Sequence, residues 1–465
     1  MGQRNQQKRA ATKRRQQRQR RGSTPRSGAG ASPGPYGSGS TGPNPFGIAA
    51  DDRFETSAPS AEALAKVVFM AGQHQASGVK DAARTCAAEL SAQYAPRHDR
   101  TLATAAGLAL SRVITALWRS GWLPVDVWEV VRRRADQEVT GLLVDTIAAD
   151  TAQHAPATVH QRWADQVTRL EATVWWPKNE PHLGPWARRH GVGTQHALFV
   201  TTTLLAQLMV LPKLAPILPP PGSASARVTA AGARVDQKVL ARVRALLAKA
   251  ESTQFPDEAE ALSAKAQELM NRHAFERALL DADHDVQPAA TALRLWLDSP
   301  YVEAKSHLVA AIAGANRCKS VFYPKLGFVA LVGETMDLEI TELLATSLLV
   351  QATHAMLAEG NHVTGAGTSR TRSFRRSFLV SYANRIGERL SEAGQRAHDP
   401  ADDARLLPVL AARSQAVEDT FNEMFEHTIR KSVTVSNGAG WDAGRAAADR
   451  ADLGVERQQI RGGGS

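Results

Sequence analysis

Apolar residues recur at helical spacing through most of the chain between Ser60 and Leu218, and this periodicity restricts the fold more than any other feature. One series is formed by Leu102, Ala106, Leu110, Val113 and Leu117. Steps of three and four residues place such side chains on one face of an α-helix. Gly121, Pro124 and Pro156 interrupt the pattern. The spacing therefore predicts an all-α N-terminal domain of several helices over residues 51–218.

The last third of the chain has a mixed pattern. Two β-favouring runs, Cys318–Tyr323 and Phe328–Val332, flank the turn segment Pro324–Gly327, and such an arrangement is typical of an antiparallel hairpin. Helical periodicity surrounds this hairpin and reappears in a final helix predicted around Ala416–Lys431. Residues 286–460 are therefore predicted to form an α+β C-terminal domain with a small antiparallel sheet, and the whole chain is predicted to be mainly α.

A proline-rich hinge and a helical hairpin are predicted between these two regions. Three prolines followed by Gly, Ser and Ala open the segment 219–235, and a compact domain rarely places such a run inside its core. Beyond it, apolar residues from Val239 to Ala250 repeat at three and four residues. Pro256 then starts a second apolar series that ends near His273. Residues 236–285 are therefore predicted to form two antiparallel helices.

Charge is concentrated at the N-terminus. Over the whole chain 56 Lys+Arg exceed 46 Asp+Glu by ten, and residues 1–50 contain ten basic residues and no acidic one. The rest of the chain is formally neutral, which excludes a protein that coats nucleic acid with its whole surface. Residues 22–50 are mostly Gly, Ser, Pro and Thr, a composition that cannot bury enough apolar surface to order the chain. Residues 1–50 are therefore predicted to be a disordered basic arm and linker.

Several segments resemble a known family. Lys238–His273 contains L-L-A-K-A-E-S-T-Q-F-P-D-E-A-E-A and ends in K-A-Q-E-L-M-N-R-H, and it resembles the domain of unknown function 2786. The segments R-C-K-S-V-F-Y, L-V-G-E-T-M-D, S-F-R-R-S-F-L and Gly440–Gly454 are similar to the C-terminal domain that accompanies it in actinobacterial and phage proteins. G-W-L-P-V-D-V-W-E-V-V-R-R-R is similar to the N-terminal region of the actinobacterial versions. The resemblance implies an architecture and no chemistry, since the family has no settled activity.

The first candidate nucleic-acid-binding segment is the arm formed by residues 1–21, in which Lys and Arg alternate with Gln. Guanidinium groups contact phosphates, and glutamine amides hydrogen-bond bases. The candidate binding residues in this segment are Arg14, Arg15, Arg18, Arg20 and Arg21. The alternative is a solubilising tail or a tail for an acidic partner.

The second candidate segment is predicted to start a helix, after a Gly-containing loop. Its arginines are Arg370, Arg372, Arg375 and Arg376. Guanidinium groups and the free N–H groups of a helix start suit phosphates. The alternative is that Phe374 and Phe378 are core residues, four positions apart, while the arginines face water.

The remaining motifs favour neither catalysis nor a cofactor. H-E-x-x-H, a phosphate loop, a dinucleotide fingerprint and G-x-S-x-G do not occur. Asp281–Asp285 begins like a calcium loop, but Val286 stands where that loop needs glycine. Cys86 and Cys318 are too few for a disulfide framework. We therefore predict no catalytic residue, no metal, no cofactor and a reduced, cytoplasmic setting.

Neither a signal peptide nor a membrane span is expected. No apolar segment follows the basic N-terminus as a signal peptide requires. The most apolar run, Leu198–Leu218, is broken by Pro212 and Pro216, and we predict a buried helix there.

The leading hypothesis is a non-catalytic protein that associates with RNA or DNA through its arm, with a mobile-element origin as a further expectation. One alternative is an enzyme that acts on nucleic acid through residues Arg370–Arg376. Another is an interaction scaffold whose neutral helical surfaces bind a protein partner. Removal of residues 1–21 separates the first hypothesis from the scaffold.

Overall fold

The computed structural model describes residues 59–223, 241–246, 248, 249, 269, 289–360, 370–396, 403–426, 428, 429 and 437–451. These residues are mainly helical and contain a small three-stranded antiparallel sheet, as the sequence predicts. The predicted arm and linker, residues 1–50, lie outside them.

The N-terminal region is a succession of helices. They are α1 (Ala61–Ala76), α2 (Ala82–Arg119), α3 (Pro124–Arg132), α4 (Gln137–Thr151), α5 (Gln161–Arg169), α6 (Leu183–His190) and α7 (Thr194–Met209). Gly121 lies between α2 and α3 with a φ of 87°, a left-handed conformation that favours glycine. Pro124 is the first residue of α3, where its missing N–H costs no helical hydrogen bond. The interruptions in the apolar pattern thus mark real helix boundaries.

Tryptophan side chains fill much of the core between these helices. Trp122 and Trp186 are fully buried, and Trp163 meets Trp118 edge-on with ring centroids 5.0 Å apart. Helix α7 occupies only the first part of the apolar run Leu198–Leu218, because Pro212 and Pro216 cannot continue a helix.

The sheet has the strand order β1-β3-β2, with β1 at Thr291–Trp296, β2 at Lys319–Tyr323 and β3 at Phe328–Gly333. Both neighbouring pairs are antiparallel, and Tyr323 pairs with Phe328 across the predicted turn. The hairpin β2–β3 is therefore confirmed. Strand β1, which pairs with the other edge of β3, was not predicted from the sequence.

The described part of the C-terminal region also contains five helices: α8 (Val302–Ala315), α9 (Thr335–Ala358), α10 (Thr371–Arg396), α11 (Asp403–Met424) and α12 (Gly438–Arg450). The predicted bounds Ala416–Lys431 for the helix now named α11 are wrong. Val417 of α11 packs with Ala292 and Val332 on one face of the sheet, while Leu293 and Leu331 join the larger core on the other face. Helix α11 is thus positioned by one apolar face over the sheet.

The described residues between Pro59 and Ala451 belong to one compact unit. Most of the predicted helical hairpin lies outside the described residues, but residues 241–246 are helical and Val243 is fully buried. Leu246 and Leu269 pack against the same core as β3 and α10. Only residues 219–223 of the predicted hinge are described, and the division of the chain into domains stays a prediction.

Two of the described helices, α2 and α9, are long and apolar enough to cross a membrane by length and composition alone. In the apolar window of α2, 56% of the residues lie buried inside the protein, and in that of α9 the share is 39%. Core helices of globular proteins have the same composition.

Helix α12 approaches α10 closely at Gly440 and Gly444. A Cβ atom built on Gly440 would overlap the carbonyl oxygen of Phe374, and one on Gly444 would overlap that of Phe378. Because these neighbours are backbone atoms, they cannot rotate away. The two glycines therefore set the distance between the two helices.

We expect Gly444→Ala to lower the free energy of unfolding by about 1–3 kcal/mol, since the added methyl group forces the two helices apart. Gly438→Ala is the matched control, because a Cβ there meets nothing within 4 Å. Urea denaturation measures both variants. Equal stability of the two variants would show that α10 and α12 do not pack at Gly444.

Candidate nucleic-acid interface

The structure describes only one of the two candidate arginine segments. The arm residues Arg14, Arg15, Arg18, Arg20 and Arg21 lie outside the described residues. The second segment is described from Arg370 onward, at the start of α10. The geometry of the candidate interface is therefore that of this second segment.

Arg370 directly precedes α10, and its carbonyl oxygen accepts hydrogen bonds from the Phe374 N–H and the Ser373 hydroxyl, each at 2.9 Å. Phe374 and Phe378 are 2% and 0% exposed and join the C-terminal core. Both phenylalanines are thus core residues, as one of the two hypotheses for this segment requires. They anchor the first turns of the helix and determine which way its arginines point.

The four arginines do not form one cluster. Arg370, Arg372 and Arg376 are exposed, whereas Arg375 is half-buried. The Nε atom of Arg375 is buried and has no hydrogen-bond partner among the described residues. The structure brings Arg372 and Arg376 together.

Arg372 and Arg376 line an open cavity of about 470 Å³. The opposite wall is the segment Pro300–Ala304, which includes the first turn of α8. The first N–H groups of a helix have no acceptor within the helix, and they carry the positive end of its dipole. Two guanidinium groups beside a helix start are a favourable setting for a phosphate group.

Glu303 reduces the positive charge of this cavity. Its Oε2 atom lies 3.3 Å from an Nη atom of Arg376, so one of the two arginines already has a carboxylate partner. Arg372 has no ion-pair partner in the part of the chain that the structure describes. Burial lowers the pKa of the nearby His307, and the charge of Arg376 lowers it further, while Glu303 raises it. A neutral His307 adds no charge, and the charged lining residues sum to one positive charge.

No metal centre is present within the described residues, because no three His, Cys, Asp or Glu side chains come close enough together to hold an ion. Cys86 and Cys318 are both buried. Burial raises the pKa of each thiol to about 12, so neither is a thiolate at neutral pH. The calcium-like segment Asp281–Asp285 lies outside the described residues.

The wall of the cavity formed by Pro300–Ala304 was not predicted from the sequence. Pro300–Ala304 carries one charged residue, Glu303, and no motif that connects it with Arg372 and Arg376. The contact between α8 and α10 creates the cavity, and only the fold shows it.

Comparison with known proteins identifies a family match. Residues 238–277 match the family described as Protein of unknown function (DUF2786), which confirms the resemblance predicted for Lys238–His273. The chain therefore carries a DUF2786 segment, most of which lies outside the described residues. The resemblance of the N-terminal and C-terminal segments stays a prediction. No curated protein and no solved structure matches the chain. The match assigns no activity to the segment.

Proposed function

We propose that this protein associates with nucleic acid through its arginine-rich N-terminal arm and does not itself catalyse a reaction. The observation that carries the proposal is the separation of charge, with ten basic and no acidic residues in 1–50 and a formally neutral remainder. Basic residues without neighbouring acids displace counterions from phosphates, and this release drives binding of any sequence. The arm suits RNA and DNA alike.

The cavity at Arg372 and Arg376 supports a second, positioning contact. It offers one guanidinium group with a carboxylate partner and one without such a partner in the described residues, next to the start of α8. A single phosphate held there orients the nucleic acid on the protein, while the nine basic residues of the arm supply most of the attachment. The arm thus supplies non-specific attachment, and the contact at Arg372 and Arg376 orients the bound nucleic acid.

The side chains around this cavity favour binding over catalysis. An enzyme acting through Arg370–Arg376 needs a general base or nucleophile near the bound phosphate. Among the described residues beside Arg376, Glu303 is already paired with it, and the half-buried His307 is not one of the side chains that line the cavity. We therefore propose that this region binds nucleic acid. A cytoplasmic setting and a mobile-element origin are proposed with it, on the sequence alone.

The test is retention on immobilised RNA and duplex DNA at about 50 mM salt, where phosphate contacts are strong. Full-length protein is compared with a variant lacking residues 1–21 and a control lacking residues 452–465, which carry two acidic and two basic side chains. We expect the first deletion to abolish retention and the control to keep it. If the full-length protein passes through the column unretained, the proposal is overturned. The alternative hypothesis of a protein-interaction scaffold would then take its place.

A further inference from the structure

A second cavity lies among the N-terminal helices, remote in sequence from both arginine segments. Its walls are α2, α4 and the segment Trp176–His182 that leads into α6, and its volume is about 490 Å³. Cavities of about 300–1,000 Å³ are the usual size for small-molecule sites.

One wall of this cavity is aromatic and held in place. The Asp145 carboxylate accepts a hydrogen bond from the Trp175 indole at 2.9 Å, and its other oxygen lies 2.8 Å from Nε2 of His182. Trp176 packs on His182 with ring centroids 4.0 Å apart. Trp176 and His182 both line the cavity, so Asp145 and Trp175 hold a half-buried aromatic surface at its edge.

The buried carboxylate of Asp150 also lines the cavity, on α4. This residue is 4% exposed, and it accepts hydrogen bonds from the Trp118 indole at 2.8 Å and the Thr115 hydroxyl at 3.2 Å. Among the described residues, the only basic group within 4.0 Å of it is the imidazole of His154, at 3.9 Å. A carboxylate has about four acceptor positions, so Asp150 keeps capacity to accept from a ligand amino group.

The rim of the cavity carries two basic side chains, Arg100 and Lys178, which are both exposed. It also carries the carboxylate of Glu180, whose charge is balanced by its ion pair with Arg188. Arg100 donates a hydrogen bond to the carbonyl oxygen of Asn179 at 2.8 Å, which ties the rim segment to α2. An aromatic wall, a buried acceptor and a basic rim match the base, the exocyclic amine and the phosphate of a nucleotide.

We propose that this cavity binds one unpaired nucleobase that carries an exocyclic amino group, with the base stacked on Trp176 and its amino group donating a hydrogen bond to the Asp150 carboxylate. The inference rests on the proposed nucleic-acid association and deepens it, because it names single strands as the preferred ligand. Cytosine has the amino group, and uracil and thymine carry a carbonyl oxygen at the same position. Oligodeoxycytidine therefore binds more tightly than oligothymidine.

Fluorescence anisotropy of labelled oligodeoxycytidine and oligothymidine with the full chain tests the proposal. The arm contacts phosphates in both strands equally, so the ratio of the two affinities reports on the cavity alone. We expect Trp176→Ala to lower the affinity for oligodeoxycytidine about tenfold, as loss of a stacking platform does. Phe69→Ala, at an aromatic residue that is 37% exposed and lines a different cavity, is the control and leaves the ratio unchanged.

Gly107→Leu blocks the cavity without removing any of its polar groups. Gly107 lines the cavity on α2, and a Cβ there meets nothing within 4 Å, so the leucine side chain enters open space and improves helix propensity. We expect this variant to abolish the preference for oligodeoxycytidine. Gly314→Leu, at an exposed helical glycine on α8 with equally open surroundings, retains it.

Free cytidine and uridine monophosphates distinguish a strand from a free nucleotide as the source of the base. If cytidine monophosphate binds the full chain and oligodeoxycytidine binds no more tightly, the cavity takes free nucleotides and the single-strand assignment is wrong. Equal affinities of wild-type protein for cytosine and thymine ligands overturn the cavity site, even when the arm still binds both strands. If the protein prefers cytosine ligands but its binding does not depend on the arm, the proposed function is overturned. The assignment of a nucleobase site to the cavity is then retained.

Discussion

Asp126→Ala should lower the free energy of unfolding by about 3–5 kcal/mol, because it leaves a buried arginine without its carboxylate. The side chains of Arg294 on β1 and Asp126 on α3 are 3% and 4% exposed, and their nearest atoms lie 2.5 Å apart. The other oxygen of Asp126 accepts a hydrogen bond from the Trp296 indole at 2.8 Å. The alanine variant therefore removes the counter-charge of a buried guanidinium group and the acceptor of a half-buried indole at once.

Arg294 also connects regions that are far apart in sequence. It donates to the carbonyl oxygen of Gly121 at 2.9 Å and to that of Ala215 at 2.7 Å. The sheet is thus joined to the α2–α3 connection and to the segment that follows α7. Loss of Asp126 weakens the attachment of the N-terminal helices to β1.

The control for this prediction is Glu62→Ala. Glu62 pairs with Arg112 at 2.6 Å, but the two side chains are 50% and 47% exposed, and such surface pairs contribute about 0–1 kcal/mol. Urea denaturation of both variants compares the two ion pairs directly. If Asp126→Ala does not fold, the double variant Asp126→Leu/Arg294→Met should restore folding, because it removes both charges together. Equal small losses for the two alanine variants would contradict the buried pair.

Local patterns predicted the helices and the β2–β3 hairpin, because both depend on residues close in sequence. Helical spacing between Ser60 and Leu218 and the turn at Pro324–Gly327 were sufficient for this. Strand β1 was missed because Arg294 lies in the middle of a six-residue run, where a charge suggests an exposed segment. Its buried partner, Asp126, lies far away in sequence, and no local pattern links the two.

The candidate site was predictable only in part for the same reason. Composition identified the arginines that start α10, and the spacing of Phe374 and Phe378 indicated a core face that is now observed. The salt bridge from Arg376 to Glu303 joins two helices, and nothing in the sequence of either helix indicates it. The cavity beside Trp176 likewise depends on three separate elements of the chain.

The largest effect on binding is expected from the arm. Residues 1–21 contain nine basic side chains, and each phosphate contact releases about 0.9 counterion from duplex DNA. A plot of the logarithm of the affinity against the logarithm of the salt concentration should therefore have a negative slope, and the magnitude of that slope is at most about 8. Replacing Arg14, Arg15, Arg18, Arg20 and Arg21 by glutamine removes five charges and should reduce the magnitude of this slope by up to about 4.5. Binding weakens about equally for all sequences, because phosphates carry no sequence information.

Replacement of the same five arginines by lysine is the matched control, because lysine keeps the positive charge but lacks the planar guanidinium group. We expect the lysine variant to retain the slope of the wild-type protein. Replacement of Arg372 and Arg376 by glutamine should also retain most of the slope, while reducing any preference for one strand type.

The salt dependence of duplex DNA affinity, measured for the full chain and the five-glutamine variant, tests the central claim most directly. The proposed function predicts a steep negative slope for the full chain and a much flatter one for the variant. Identical slopes for the two proteins would contradict the assignment of nucleic-acid binding to the arm.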